Sequence, residues 1–309
     1  MKIIRNLCNQ EYEISEDTYR DLKAAKEFLS KVLSSERVFS MLVDNYIELE
    51  KEIFNQALTE SLNPEKDSLD GPIYEINRRV INFLTTCRLF SDLSRNLFSG
   101  ETNSGQKACS IYDKSSEQSK KFFSRFCEER NNQEFRVVTA LRNYAQHTDI
   151  PFQYLTLASS RVESDGVGFW KKTVSAKIDI KELISKYDSL PKKEKNKNDR
   201  DSFDELERMG DYIEVVPLLR KCMDSMGRII SEIREIVEVD LLTLESKVRG
   251  VINEYGDTFY LVSRNQSSQA EVISFSPEFM LGRRLSLISR NKNCTGYSRN
   301  FISTECPKM

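Results

Sequence analysis

The sequence predicts an α+β protein that is predominantly α-helical. A helical domain is expected over residues 15–150, followed by a region of hairpin, long helix and hairpin over residues 151–309. Two observations support this division. Apolar residues recur at the helical period through most of the first half. After residue 150, segments rich in β-branched and aromatic residues flank polar turn sequences, and a long helical pattern lies between them.

Apolar positions at helical spacing predict five helices before residue 150. They cover about 15–33, 38–62, 72–98, 107–130 and 133–147, after a short strand or arm over 1–14. Ser15 is a good N-cap, and Ser34-Ser35-Glu36 is expected to separate the first two helices. Pro72 suits the first turn of the third helix. The fifth helix should end before Pro151, because a residue preceding proline is disfavoured in a helix.

The second half alternates between strands and helix. One hairpin is expected from residues 152–162 and 168–180, with Ser164-Asp165-Gly166 as its turn. Residues 190–202 are polar and charged, which indicates an exposed linker. A long helix is expected over 204–255, with Gly210 and Pro217 as possible breaks near its start. A second hairpin is expected from residues 259–262 and 271–275, joining the first in one small sheet. The tail over 277–309 is basic, and part of it is expected to be mobile.

The overall charge argues against general binding to nucleic acid or to anionic membranes. The chain has 309 residues, with 46 basic and 48 acidic side chains and a net charge of -2. Any affinity for a polyanion therefore requires a local patch. No stretch approaches the roughly 18 apolar residues of a membrane helix, and the first residues do not resemble a signal peptide. A cytoplasmic protein without a membrane partner is expected.

The cysteines indicate neither a disulfide framework nor a metal site. The seven are Cys8, Cys87, Cys109, Cys127, Cys222, Cys294 and Cys306. Their number is odd, no two have CxxC spacing, and the chain contains a single histidine, so clustered zinc ligands are missing. Reduced thiols are expected, with no metal and no cofactor.

The strongest candidate for chemistry is the segment Leu141–His147, with the sequence LRNYAQH. It contains the only histidine of the chain, and histidine changes protonation near neutral pH. Asn143 and His147 are four residues apart on the predicted helix, so they share a face. The long side chain of Arg142 can reach round the end of the helix. The same pattern also fits a surface arginine paired with Glu134 or Asp149.

This segment resembles the signature of HEPN domains, the higher eukaryotes and prokaryotes nucleotide-binding family. That signature is an arginine, a polar residue and a histidine four to six residues after the arginine, late in a bundle of four or five helices. Arg142, Asn143 and His147 match these positions. The resemblance covers about residues 36–150, and only the motif within it is specific.

The resemblance implies a metal-independent endoribonuclease in which the RNA 2′-hydroxyl attacks the adjacent phosphate. His147 would move protons, Arg142 would stabilise the charge at phosphorus, and Asn143 would orient the phosphate or hold the imidazole tautomer. Such nucleases usually combine two copies of the motif, so the single copy here implies a homodimer. Family analogy suggests a toxin or anti-phage defence effector, with an antitoxin or defence-system protein as partner. Asp149 replaces the tyrosine that some toxin-type members carry two residues after the histidine.

Other readings remain open. A non-catalytic HEPN-like adaptor would bind RNA or a protein through the long C-terminal helix and the tail, and a chance match of the motif is also possible. Within the tail, a cluster of cations forms the candidate RNA-binding set. The set consists of Arg283, Arg284, Arg290 and Lys292.

Overall fold

The computed structural model describes residues 1–5, 11–62, 69–99, 110–164, 167–191, 195, 197–208, 210–264, 270–293 and 296. Within these ranges the protein is mostly helical with small antiparallel sheets, as predicted for the fold class. The helices are α1 (Glu16–Leu62), α2 (Asp70–Ser99), α3 (Glu117–Asn131), α4 (Gln133–His147), α5 (Ile180–Asp188), α6 (Lys197–Glu207), α7 (Val215–Tyr255) and α8 (Pro277–Arg290). The strands are β1 (Lys2–Arg5), β2 (Glu11–Glu13), β3 (Tyr154–Ser164), β4 (Val167–Asp179), β5 (Tyr212–Glu214), β6 (Phe259–Arg264) and β7 (Ala270–Phe275).

The described residues divide into two compact units. Unit 1 combines residues 1–40, 93–123 and 230–292, and unit 2 combines residues 41–92 and 124–229 with the described residues 293 and 296. The predicted boundary at residue 150 does not coincide with this division, because both units take residues from both sides of it. Unit 2 contains the whole of α4 and therefore the LRNYAQH segment.

The predicted break between the first two helices is wrong, since α1 is one helix of 47 residues. Ser35 and Glu36 are both buried within it. The Ser35 hydroxyl donates to the carbonyl oxygen of Val32 at 2.8 Å, and the Glu36 carboxylate accepts hydrogen bonds from Arg234 of unit 1. Polar side chains that bond in this way do not interrupt the backbone ladder of the helix.

The predicted linker over 190–202 is helical in its last part, because α6 begins at Lys197. Phe203 and Leu206 are fully buried and anchor this helix. Gly210, with a φ of 146°, follows α6. The long helix then begins at Val215 rather than at residue 204, and Pro217 lies in its first turn, where a proline is tolerated.

The predicted fourth helix is shorter than expected. Helix α3 begins at Glu117, and the described residues 110–116 before it are not helical. Residues 107–109 of that prediction lie outside the described residues. In the tail, α8 gives residues 277–290 a regular structure, and residues 297–309 are again outside the description.

Both hairpins form as predicted, but they do not join in one sheet. In unit 2, β3 pairs with β4 and β4 pairs with β5, all antiparallel. In unit 1, the strand order is β2-β1-β6-β7. Each hairpin gains its third strand from a short segment elsewhere in the chain, because a hairpin alone is marginally stable. The two turn sequences, Asp165-Gly166 and residues 265–269, lie outside the described residues.

Candidate functional site

Helix α4 places the motif at the edge of the unit 2 core. One face of the helix is buried through Phe135, Val137, Val138, Ala140, Leu141 and Tyr144. Arg142 and Asn143 are partly exposed, and His147 is exposed as the last residue of the helix. The apolar period of α4 therefore turns the polar motif residues away from the core.

The amide of Asn143 joins two charged groups. Its Oδ1 accepts a hydrogen bond of 3.1 Å from Nη1 of Arg142. Its Nδ2 donates a hydrogen bond of 2.9 Å to Oδ2 of Asp199 on α6. An asparagine amide has one accepting and one donating end, so these two bonds fix its orientation.

Arg142 is a partly buried cation without an ion pair among the described residues. Its Nε is buried and has no hydrogen-bond partner. Burial and the nearby Arg88 guanidinium lower the pKa of Arg142, while Asp92 and Asp199 act against this change.

The two surface pairings of Arg142 that were considered from the sequence are not formed, because Glu134 pairs with Lys221 and Asp149 pairs with Lys186. A guanidinium in this position has unused capacity to bind an anion.

Asp199 is the site residue that the sequence did not predict. It is 4% exposed, and burial raises the pKa of its carboxyl. The hydrogen bond from Asn143 and the charges of Arg88, Arg142 and His147 oppose that rise. The residue was assigned to the charged linker, although Phe203 and Leu206 follow it at helical spacing. That spacing is the signal that places Asp199 on the inner face of a short helix.

A cleft of about 510 Å³ opens beside Asn143. Its charged and polar lining includes Arg88, Arg130, Arg136, Asn143, Asp199 and Asp201. The lining thus carries three cations and two carboxylates, and two of the cations, Arg88 and Arg136, are paired with Asp92 and Glu205. Arg142 lines a much smaller neighbouring cavity, which shares Arg88 with the cleft. His147 lines neither of them. The structure thus brings Arg142 and Asn143 into contact, and it leaves the His147 imidazole exposed at the C-terminal end of α4.

Asp149, two residues after His147, is paired with a lysine. Its Oδ2 lies 2.6 Å from Nζ of Lys186, and this hydrogen bond lowers the pKa of the Asp149 carboxyl. Asp149 is therefore ionised and balanced by a cation, so its charge opposes a bound phosphate less than an unpaired carboxylate would.

The candidate RNA-binding residues of the tail lie in unit 1. Arg283, Arg290 and Lys292 are exposed, but Arg284 is buried. Burial lowers the pKa of Arg284, and the charges of Glu36 and Glu238 raise it. Because its side chain points into unit 1, Arg284 does not belong to an RNA-binding surface.

The described part of the chain contains no group of three or more side chains suited to hold a metal ion. Within it, Cys87, Cys127 and Cys222 are free thiols. None of its helices combines the length and the apolar composition that a bilayer span requires. Comparisons with protein-family models, with curated proteins and with solved structures found no match to the chain.

Proposed function

We propose that the protein is a metal-independent endoribonuclease of the HEPN type, with Arg142, Asn143 and His147 as its catalytic residues. The resemblance of the LRNYAQH segment to the HEPN signature motivates the proposal. Two placements support it: Arg142 contacts Asn143, and the only histidine of the chain is exposed one helical turn beyond Asn143.

The observation that carries the proposal is the unpaired guanidinium of Arg142. Other partly buried arginines of unit 2, such as Arg79, Arg220 and Arg228, bond to carboxylates. Arg142 makes no such bond among the described residues. Its Nε is buried without a partner, as are those of Arg136 and Arg284, but these two arginines have ion pairs. Leaving a buried charged donor unsatisfied destabilises a fold, so the arrangement is explained if the arginine serves an anionic ligand. An RNA phosphate is that ligand in the proposed reaction.

The reaction needs only groups that this chain supplies. A neutral imidazole takes the proton of the 2′-hydroxyl, and O2′ attacks the adjacent phosphorus. The bond from phosphorus to O5′ breaks, and a protonated imidazole gives O5′ its proton. The products are a 2′,3′-cyclic phosphate and a 5′-hydroxyl. Arg142 stabilises the extra negative charge at phosphorus through a planar pair of N–H groups, and Asn143 orients the phosphate.

One imidazole cannot be both the base and the acid of the same step, and the chain has a single histidine. The proposal therefore includes a homodimer in which the partner's His147 completes the site. A role as a toxin or anti-phage effector, held in check by an antitoxin or defence-system protein, belongs to the same proposal through family analogy. A cytoplasmic location fits an RNA substrate.

Cleavage of labelled single-stranded RNA in EDTA tests the function. The purified protein should produce ends with a cyclic phosphate, and His147→Ala and Arg142→Ala should each lower the rate by about 100-fold or more. Arg78→Ala is a matched control, because Arg78 is an exposed arginine of unit 2 paired with Glu75. Sedimentation of the same samples measures the dimer. If both motif variants cut as fast as the parent protein, the proposal fails.

A second candidate is a non-catalytic HEPN-like adaptor that binds RNA or a protein. Asp199 favours it, since its buried carboxylate bonds to Asn143 beside the place where a phosphate would lie. An adaptor would retain RNA or a protein partner without turnover, and truncation before Pro277 would abolish binding. The EDTA assay separates the two candidates because only the enzyme produces new RNA ends.

A further inference from the structure

The outer part of strand β3 in the β3–β4 hairpin is exposed on both of its faces. The register pairs the strands over their whole length, from Tyr154 opposite Lys177 to Ser164 opposite Val167. At the base, Leu155 and its partner Ala176 are buried. Farther out, every residue from 159 to 163 is exposed. Because successive side chains of a strand alternate between faces, this exposure means that neither face of residues 159–163 packs against the described core.

The single tryptophan of the chain lies on this outer half. Trp170 is 70% exposed, although an indole is the side chain with the largest apolar surface to bury. It makes no ring contact with any described aromatic residue. An indole exposed to this extent adds little to the core of unit 2, and its ring is accessible to a ligand.

Two cations share the face of Trp170. Arg161 is its register partner on β3, and Lys172 follows two residues later on β4, on the same side of the strand. Gly168 leaves room for this arrangement, since a Cβ atom there would lie 2.8 Å from Nε of Arg161. The guanidinium therefore lies over the backbone of Gly168, on the face of the hairpin that carries Trp170.

These cations are weakly neutralised. Arg161 lies 3.7 Å from the Glu163 carboxylate, with both side chains well exposed, and a pair of this kind contributes little in water. Lys172 has no ion pair with a described residue. An open indole flanked by the exposed Arg161 and the half-buried Lys172 combines a stacking surface with phosphate-binding groups.

We propose that Trp170, Arg161 and Lys172 form a binding surface for single-stranded RNA, here called the hairpin surface. The inference rests on the proposed function and adds a second contact for the same substrate within unit 2. A base stacks on the indole while the two cations contact its flanking phosphates. A lipid bilayer fits this surface less well, because the sequence between the strands is Asp165-Gly166, an acidic and a small residue rather than an apolar anchor.

The indole itself reports on binding, since it is the only tryptophan. The test titrates the full-length His147→Ala variant, which should leave RNA intact, with a single-stranded RNA of about 12 nucleotides. Tryptophan fluorescence should be quenched in a saturable manner. Arg161→Ala combined with Lys172→Ala should weaken binding about tenfold at low salt and reduce its salt dependence. Lys171→Ala is the matched control, because Lys171 lies on the opposite face of β4.

Substitution of the indole completes the test, with binding followed by the anisotropy of a labelled RNA. Trp170→Ala should lose about tenfold in affinity, and Trp170→Phe should recover part of it by stacking. Unchanged affinity in Trp170→Ala, or quenching by phosphatidylserine vesicles but not by RNA, overturns the inference. Cleavage assays are run on the same substitutions in protein that retains His147, and they keep the two proposals apart. If the parent protein does not cleave RNA but Trp170→Ala loses RNA affinity, only the nuclease proposal is rejected. If the parent protein cleaves RNA and Trp170→Ala binds it with unchanged affinity, only the hairpin surface is rejected.

Discussion

Asn143 on α4 donates a hydrogen bond of 2.9 Å to Asp199 on α6 and accepts one of 3.1 Å from Arg142. Guanidinium, amide and carboxylate thus form a continuous chain across two helices of unit 2. The amide cannot rotate without losing both bonds, so α6 fixes the orientation of a residue on the motif helix. The same contact places a negative charge beside the proposed phosphate site.

Removing the charge of Asp199 should strengthen RNA binding. Asp199→Asn keeps an oxygen that can accept the hydrogen bond from Asn143, but it removes the repulsion of the phosphate. Under the proposed function, the KM for RNA should fall about three- to tenfold with little change in kcat, an effect of local charge on substrate binding. Steady-state cleavage measures both constants. Asp204→Asn is the control on the same helix, since Asp204 pairs with Arg200 instead. A loss of kcat in Asp199→Asn would instead make Asp199 a positioning residue for Asn143.

The same substitution should change how stability depends on pH. Burial raises the pKa of the Asp199 carboxyl above its ordinary 3.8. The folded protein then binds this proton more tightly than the unfolded chain does, so stability falls as pH rises from about 3.8 through the raised pKa. Asp199→Asn removes this pH-dependent contribution to stability. As pH rises from about 3.8 through the raised pKa, the free energy of unfolding of Asp199→Asn, measured in urea, should increase relative to that of the parent protein. Above this pH range the difference should be constant. If the advantage in unfolding free energy of Asp199→Asn over the parent protein decreased with rising pH, the effect of burial on this carboxyl would be contradicted.

Arg142 should be dispensable for folding, unlike a paired arginine. Arg142→Ala loses one hydrogen bond to a neutral amide and removes an unsatisfied buried donor, so its free energy of unfolding should stay within about 1 kcal/mol of the parent. Arg228→Ala is the comparison, because Arg228 forms two bonds of 2.6 and 2.7 Å to the buried Glu129. It should cost about 2 kcal/mol. Equal losses in the two variants would mean that Arg142 has a structural partner.

Local sequence patterns were sufficient to predict α4 and both hairpins. In α4, apolar residues at the helical period set both the helix and its buried face. In the hairpins, β-branched segments meet across short polar turns. The placement of Asp199 depended on recognising a short helix within a highly charged segment, where Phe203 and Leu206 were the only apolar signal. The continuity of α1 past Glu36 could not be predicted locally, because the arginine that balances this carboxylate is 198 residues away in the chain.

Removing one partner of the buried contact between Glu36 and Arg234 should strongly destabilise unit 1. Glu36 is 1% exposed and accepts hydrogen bonds of 2.9 and 2.8 Å from the arginine. Glu36→Ala removes both bonds and takes the buried counter-charge from the guanidinium, so urea unfolding should show a loss of about 3 kcal/mol. Replacing both residues by methionine should restore most of that loss, because the penalty comes from the stranded charge rather than from the absence of the pair. A double variant as unstable as Glu36→Ala would show that α1 depends on the ion pair itself to stay continuous at this point.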